Sequence, residues 1–382
     1  MADVPNARRA RQLNVASSTR SNRSFARLAS SVCPQPEEYT MPPPAEASSP
    51  QGEKIERPLR VAVVGPGGWG RQHVRILGGR PDTELVAIVG RDPDRTSSQA
   101  KLDHTHGYTR VAEMLDAEQP DLVTVCLPNE RHFEPTLELV KAGVPLLVEK
   151  PLVFHLHEAD ELIDEAASRG TFFAINFNHR YAEPVMRART ALQAGQLGEM
   201  VFASWRFGGE PNFGNHPHAQ LIETQCHGFD MLEHLCGPIV SVMAQMTNKT
   251  HGSYTTVAIA LEFADAAVGS LVGSYDSSYA YPLTHYLELN GTAGRALIED
   301  TVKRLTIQHV GDETRQVWEA GYFNDPDREF HRTFDRHVDA LIAALRAGQP
   351  PPVHASAGRR ALQLALASIE SFETGRRIST DQ

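Results

Sequence analysis

The run Leu59-Arg-Val-Ala-Val-Val-Gly-Pro-Gly-Gly-Trp-Gly70 constrains this chain more than any other segment. An apolar strand pattern, Val61 to Val64, passes directly into Gly65-x-Gly67-x-x-Gly70, and a helical pattern follows. Gly65 permits a tight turn off the strand, and Gly67 removes a side chain where a pyrophosphate approaches the backbone. Gly70 lets the helix pack against the sheet, and Gly68 and Trp69 of the same turn are expected to border the cofactor. The helix N-terminus then faces the phosphate. Strand before and helix after turn three common glycines into a dinucleotide-binding expectation.

The 382 residues suffice for two domains, and 41% apolar with 22% charged residues is a globular composition. No apolar run is long enough to span a bilayer, which speaks against a membrane partner. A net charge of −10 argues against nonspecific binding of nucleic acid or anionic lipid. Cys33, Cys126, Cys226 and Cys236 form no CxxC pair, as expected of reduced thiols in an intracellular, cytoplasmic protein. Residues 1–57 are rich in Arg and Ser early and in Pro, Ser and Glu later, a disordered composition. An Arg-rich, acid-poor start also suits an organellar transit peptide over residues 1–40; the plainer alternative is a true start near Met41.

From Leu59 to Phe177, short apolar runs alternate with amphipathic stretches. Residues 61–64, 85–89, 122–127, 145–148 and 172–177 suit buried parallel strands, and 69–79, 111–118, 131–142 and 155–168 suit helices. This series predicts a doubly wound, Rossmann-type sheet over residues 58–178. Beyond about residue 198 come strand patterns at 200–207, 240–246, 255–263, 267–275, 286–290 and 304–309. A helical stretch at 218–235 interrupts them, and two helices, about 327–347 and 354–375, end the chain. Residues 179–382 are therefore expected to form an α+β domain with a large, mainly antiparallel open sheet. The uncovered face of that sheet invites a second subunit, as a homodimer or homotetramer.

The second strand decides the dinucleotide. A carboxylate about 20 residues past the glycines favours NAD. Here the strand ends in Gly90, followed by Arg91-Asp92-Pro93-Asp94-Arg95. The missing acid leaves room for a 2′-phosphate gripped by Arg91 or Arg95, which favours NADP; Asp92 swinging in would favour NAD. The plainer role of both arginines is as loop charges paired with Asp92 and Asp94. Pro128 and Asn129 follow the next strand, where Asn129 caps a helix and faces the nicotinamide half of the cofactor. His132 stands in that first helical turn, where contact with the cofactor is one expectation and a lone exposed histidine the plainer one.

Glu149-Lys150-Pro151, with the glycine motif upstream, resembles the Gfo/Idh/MocA oxidoreductases. So do Asn176 through Tyr181 with Pro184, Leu197-Gly198-Glu199, and His227-x-x-Asp230 with Gly237-Pro238. The motif Leu289-Asn-Gly-Thr-x-Gly294 and the ending Glu373 to Arg377 also fit. The resemblance spans residues 58–380 and implies that Lys150 lies beside the nicotinamide and the reacting carbon, with Pro151 often cis. It places Glu149, Lys150 and Arg180 near the cofactor, and Lys150, Gln225, His227 and Asp230 near the substrate. A lysine of lowered pKa holds the carbinol oxygen and shares its proton.

Glu223 and His227, at i and i+4, are expected on one helix face, the carboxylate orienting the imidazole for proton transfer. Relatives typically carry Asp where Glu223 stands and a small residue near Gln225, so both positions depart from the pattern. The plainer role of the two is an i,i+4 surface pair. His216, His218, His227 and His234 match no standard zinc spacing, and no metal is expected. Glu210, Asn212 and Asn215 form a polar loop suited to sugar hydroxyls. The expectation is an NAD(P)-dependent oxidoreductase acting on a hydroxyl or keto carbon of a sugar, polyol or cyclitol. Two rivals share the fold: an NAD-dependent glycosidase that retains its cofactor, and a cofactor-sensing regulator, which would tend to lose Lys150 and His227.

Overall fold

The structure, a computed structural model, describes residues 57–209, 216–323 and 326–380, with only the backbone at 326–328. The tail composition read over residues 1–56 and the polar loop of Glu210, Asn212 and Asn215 lie outside the described residues. The apolar runs after Pro58 form β1 (Leu59–Val64), β2 (Thr83–Val89), β3 (His106–Tyr108), β4 (Leu122–Val125), β5 (Leu146–Val148) and β6 (Phe173–Ile175). Between them lie α1 (Gly70–Gly78), α2 (Pro93–Leu102), α3 (Val111–Glu118), α4 (Phe133–Lys141) and α5 (Leu156–Arg169). The strands pair in parallel in the order β3-β2-β1-β4-β5-β6, a doubly wound sheet. Two elements carried too little apolar periodicity to be read from sequence. β3 exposes two of its three residues, and α2 is a polar helix recognisable only by its cap: Asp92 accepts from the Arg95 N–H at 2.9 Å.

After α6 (Glu183–Gln193) comes β7 (Met200–Gly208), then a π-helical turn at Gln220–Thr224, α7 (Cys226–Cys236), β8 (Ile239–Thr247), β9 (Thr256–Phe263), β10 (Val268–Ser274), β11 (His285–Gly291), β12 (Gly294–Glu299), β13 (Arg304–His309) and β14 (Gln316–Glu319). Next are α8 (Pro326–Arg346), α9 (Ser356–Thr374) and β15 (Ile378–Ser379). The second sheet is nine-stranded, ordered β14-β13-β12-β11-β7-β10-β9-β8-β15, and antiparallel except where β10 runs parallel to β7. Alternation along these strands buries Ala203, Trp205, Leu261, Leu271, Leu287 and Leu289 on one face.

One core runs from the first sheet into the second, linking Val125, Val148 and Phe177 with Trp205, Phe229 and Leu271. A second core lies on the other face of the first sheet. There Phe334, Val338, Leu341 and Ile342 of α8 pack on Val61, Val63, Val74 and Leu77. The tail helix thus returns to the dinucleotide half of the chain, which an expected boundary after residue 178 does not convey. The described residues form a single compact unit.

Leu341 is fully buried in that contact. Leu341→Ala is expected to cost about 2–5 kcal/mol of unfolding free energy by urea denaturation. A cost well under about 1 kcal/mol would mean that α8 does not pack on the first sheet.

Candidate active site

The glycine turn follows β1 as its sequence requires. Gly65 has φ +88°, and a Cβ there would lie 2.6 Å from the Cys126 carbonyl oxygen. A Cβ at Gly70 would lie 1.9 Å from the Gly65 oxygen, so the start of α1 packs on the turn without a side chain. Gly67 instead faces open space, and no side chain caps the N-terminus of α1. These residues fit a dinucleotide pyrophosphate: an unobstructed backbone approach beside a free helix N-terminus. Trp69 does not line that approach as expected. Its ring stacks on Phe334 of α8 at 5.5 Å and 19°.

At the end of β2, Asp92 is engaged as the cap of α2, which leaves it poorly placed to swing toward a ribose. Arg91 and Arg95 are exposed, and neither forms an ion pair with Asp92 or Asp94 among the described residues.

Glu149 is buried rather than turned to the cofactor cleft. Its Oε1 accepts from His73 Nε2 of α1 at 2.8 Å and from Asn176 Nδ2 at 2.6 Å. Asn176 Oδ1 in turn accepts from His337 Nδ1 of α8 at 2.7 Å, and Tyr181 stacks on His337 at 4.6 Å. Burial opposes charge on His73, but Cys126 and Glu149 outweigh it and push its pKa up to about 10. Burial would likewise raise Glu149, yet His73 and Lys150 hold it below the usual carboxylate range. Among the described residues no carboxylate hydrogen-bonds His337, and burial, against the pull of Glu149, pushes it down to about 3. Sequence reasoning missed His73 and His337 because neither belongs to a motif; Asn176 stood in a quoted motif without a role.

Lys150 follows Glu149 at the carboxyl end of β5, before a cis peptide to Pro151. Its Nζ donates to the Glu223 carbonyl at 3.0 Å. The expected Glu223–His227 pair is not formed. Glu223 lies in the π-helical turn, where the Gln225 N–H donates to the Gln220 carbonyl, while His227 lies in the first turn of α7. The two therefore do not share an α-helical face. The Glu223 carboxyl meets Asn129 instead, and burial raises its pKa.

His227 stacks on His179 with ring centroids 3.9 Å apart and planes at 5°. Phe177 and Phe207 flank the pair. Burial, His179 and Lys150 hold His227 well below its ordinary pKa, so the imidazole is neutral and basic in form. His179 also stood in the Asn176–Tyr181 motif, but nothing in the sequence paired it with His227.

The remaining candidates have partners within the protein. Gln225 is buried; it accepts from Trp205 Nε1 and donates to the Phe207 carbonyl, both at 3.1 Å, so its amide is not offered to a substrate. Asp230 holds Arg180 through two hydrogen bonds of 2.9 and 2.5 Å, which turns both away from the ligand roles expected of them. His132 is buried, not exposed. Its ring nitrogens lie 2.9 Å from the Pro151 carbonyl and 2.8 Å from that of Leu127, tying together the loops after β4 and β5. Pro128 is exposed and Asn129 partly so at that loop. His216 stacks near Phe154 and His218 on Tyr254, so they do not converge with His227. Among the described residues no group of three or more His, Cys, Asp or Glu is placed to hold a metal.

Comparison with known proteins shows the family and the fold. The sequence model of the oxidoreductase family with NAD-binding Rossmann fold, Gfo/Idh/MocA, matches residues 59–177, and that of its C-terminal α/β domain matches residues 185–380. The chain belongs to the Gfo/Idh/MocA oxidoreductase family. It is 24% identical to the myo-inositol 2-dehydrogenase of Thermotoga maritima, over 85% of this chain and 99% of that one. It is 27% identical to the D-glucoside 3-dehydrogenase of Escherichia coli, over 84% and 97%. Levoglucosan dehydrogenase in complex with NADH has the same fold, with TM-score 0.77 at 17% identity over 85% of this chain and 100% of that one. So does the WlbA dehydrogenase of Bordetella pertussis in complex with NADH and UDP-GlcNAcA, with TM-score 0.72 at 19% identity over 85% and 98%.

Glu149→Ala leaves His73 and Asn176 buried without their acceptor. The expected loss is about 3–5 kcal/mol of unfolding free energy. Urea melts of the variant check it, and an unchanged midpoint would remove Glu149 from the centre of the network.

Proposed function

We propose that this chain is an NAD(P)-dependent dehydrogenase or reductase that moves a hydride to or from a hydroxyl or keto carbon of a sugar, polyol or cyclitol. The observation that carries this reading is Lys150 at the carboxyl end of β5, acting on a buried neutral His227, in a chain whose glycine turn after β1 is open at Gly67. The names of the curated relatives, inositol and glucoside dehydrogenases, support it. The bound nicotinamide supplies the hydride acceptor or donor; Gly65, Gly67, Gly68 and Gly70 would hold its pyrophosphate. In the oxidation direction, Lys150 holds the carbinol oxygen and stabilises the charge that develops on it. Neutral His227 takes the hydroxyl proton, and His179 fixes the plane of its ring. Glu223 acts on Lys150 through its carbonyl rather than on His227.

NADP is the favoured dinucleotide, because Gly90 offers no carboxylate and Arg91 and Arg95 are exposed close after it in the chain. The outer face of the second sheet suits a homodimer or homotetramer. Register sets Met243, Ala260, Ser270 and Ser204 in one row across it, and Met243 and Ala260 are exposed. The cytoplasm is the compartment this reading favours.

Lys150→Met and His227→Asn should each lower kcat by about 100- to 10,000-fold on the true substrate, with cofactor affinity little changed. A spectrophotometric screen of sugars, inositols and their keto forms supplies that substrate. Near wild-type turnover by Lys150→Met would place the active site elsewhere.

Arg91→Ala should weaken NADP(H) about tenfold or more and leave NAD(H) nearly unaffected. Fluorescence titration reads both, and tighter binding of NAD(H) by the unaltered protein would overturn the preference.

A further inference from the structure

Beside the reaction centre lies a cavity of about 310 Å³, at the lower end of the size of small-molecule sites. One wall is the turn that leads into α4, with Asn129, Glu130 and Phe133. Another is the segment that runs from Pro151 into α5, with Phe154 and Glu158, and His216 closes a third side. The Phe154 ring leans on His216, with centroids 5.7 Å apart at 46°. Burial and His155 hold His216 below its ordinary pKa against the pull of Glu130, so that imidazole is neutral. Lys150, His227 and the glycine turn do not line the cavity among the described residues. It nevertheless adjoins the chemistry. Phe154 follows Lys150 in the same loop, and Asn129 meets the carboxyl of Glu223, whose backbone carbonyl accepts from Lys150 Nζ at 3.0 Å.

The lining selects among occupants by charge and by hydrogen bonding. Glu130 and Glu158 contribute carboxylates, and no lysine or arginine lines the cavity among the described residues, which opposes a phosphate, a nucleotide or a sugar acid. An ammonium would use the acceptors alone. Carboxylates, an amide and a neutral imidazole together offer acceptors and donors, as hydroxyl groups need. Phe133 and Phe154 supply apolar surface for the C–H face of a sugar ring. We propose that this cavity is a second subsite, which takes the other ring of a neutral glycoside whose first ring reacts at Lys150, so that the substrate is a disaccharide rather than a free monosaccharide or cyclitol. This rests on the hydride-transfer reading and narrows it. In oxidation, the carbinol C–H leaves as hydride to the oxidised nicotinamide, the O–H proton passes to His227 and the C=O bond forms. The glycosidic bond is unchanged.

Calorimetric titration of the full chain loaded with the reduced dinucleotide tests this without turnover, using cellobiose, lactose and maltose against D-glucose, myo-inositol and UDP-glucose. At least one disaccharide should bind about tenfold or more tightly than D-glucose and myo-inositol, because its second ring leaves water at Phe154. UDP-glucose should bind no more tightly than D-glucose. Phe154→Leu keeps an apolar side chain and removes the ring, and Glu158→Ala removes an acceptor in the first turn of α5. Each should weaken the disaccharide about threefold or more and leave D-glucose and the dinucleotide unaffected. Disaccharides that bind no better than D-glucose, UDP-glucose that binds as tightly as they do, or a preference that survives both substitutions would overturn the proposal. So would weaker dinucleotide binding by both variants, which would give the cavity to the cofactor. Disaccharides that bind preferentially through Phe154 and Glu158 but are never oxidised with either nicotinamide would leave the subsite standing and overturn hydride transfer instead.

Discussion

A buried carboxylate is costly unless it is hydrogen-bonded, and Glu149 accepts from two donors, with a third residue bonded behind one of them. His73 comes from the helix after the glycine turn, Asn176 from the end of β6, and His337 reaches Asn176 from α8. The network fixes α1 against the ends of β5 and β6, and it ties α8 to the first sheet. Lys150 emerges at the cleft because Glu149, its neighbour, is held inside. The position of one cation therefore follows from the satisfaction of one anion.

The chemistry of the cleft follows from burial. Without a carboxylate beside it, an imidazole in an apolar setting stays neutral, and His227 and His179 are walled by Phe177, Phe207 and Phe330. Lys150 is a cation that acts on both rings. The π-helical turn decides which groups meet. It carries the Glu223 carbonyl to Lys150 and the Glu223 carboxyl to Asn129, and leaves His227 to its stacked partner.

Much of the scaffold was legible in the sequence because the signals were local. The strand, glycine turn and helix of residues 59–78 are specified by residues in direct succession, and the mostly β-branched runs announce parallel strands that are buried on both faces. The alternation in the second half likewise announces an antiparallel sheet. β3, α2, α6, β12, β14 and β15 were not read from the sequence; most of them are short or polar. The i,i+4 spacing of Glu223 and His227 misled for a definite reason. It assumes α-helical geometry, and one i to i+5 bond at Gln225 breaks it.

The sequence by itself determined the dinucleotide turn, the two-sheet architecture and the place of Lys150 at a strand end, since each rests on neighbours along the chain. Only the tertiary structure decided that Glu149 serves the interior, that Gln225 and Asp230 are occupied by Trp205 and Arg180, and that His179 meets His227. Those outcomes depend on which distant donors reach which acceptors once water is excluded, and no spacing along the chain encodes that.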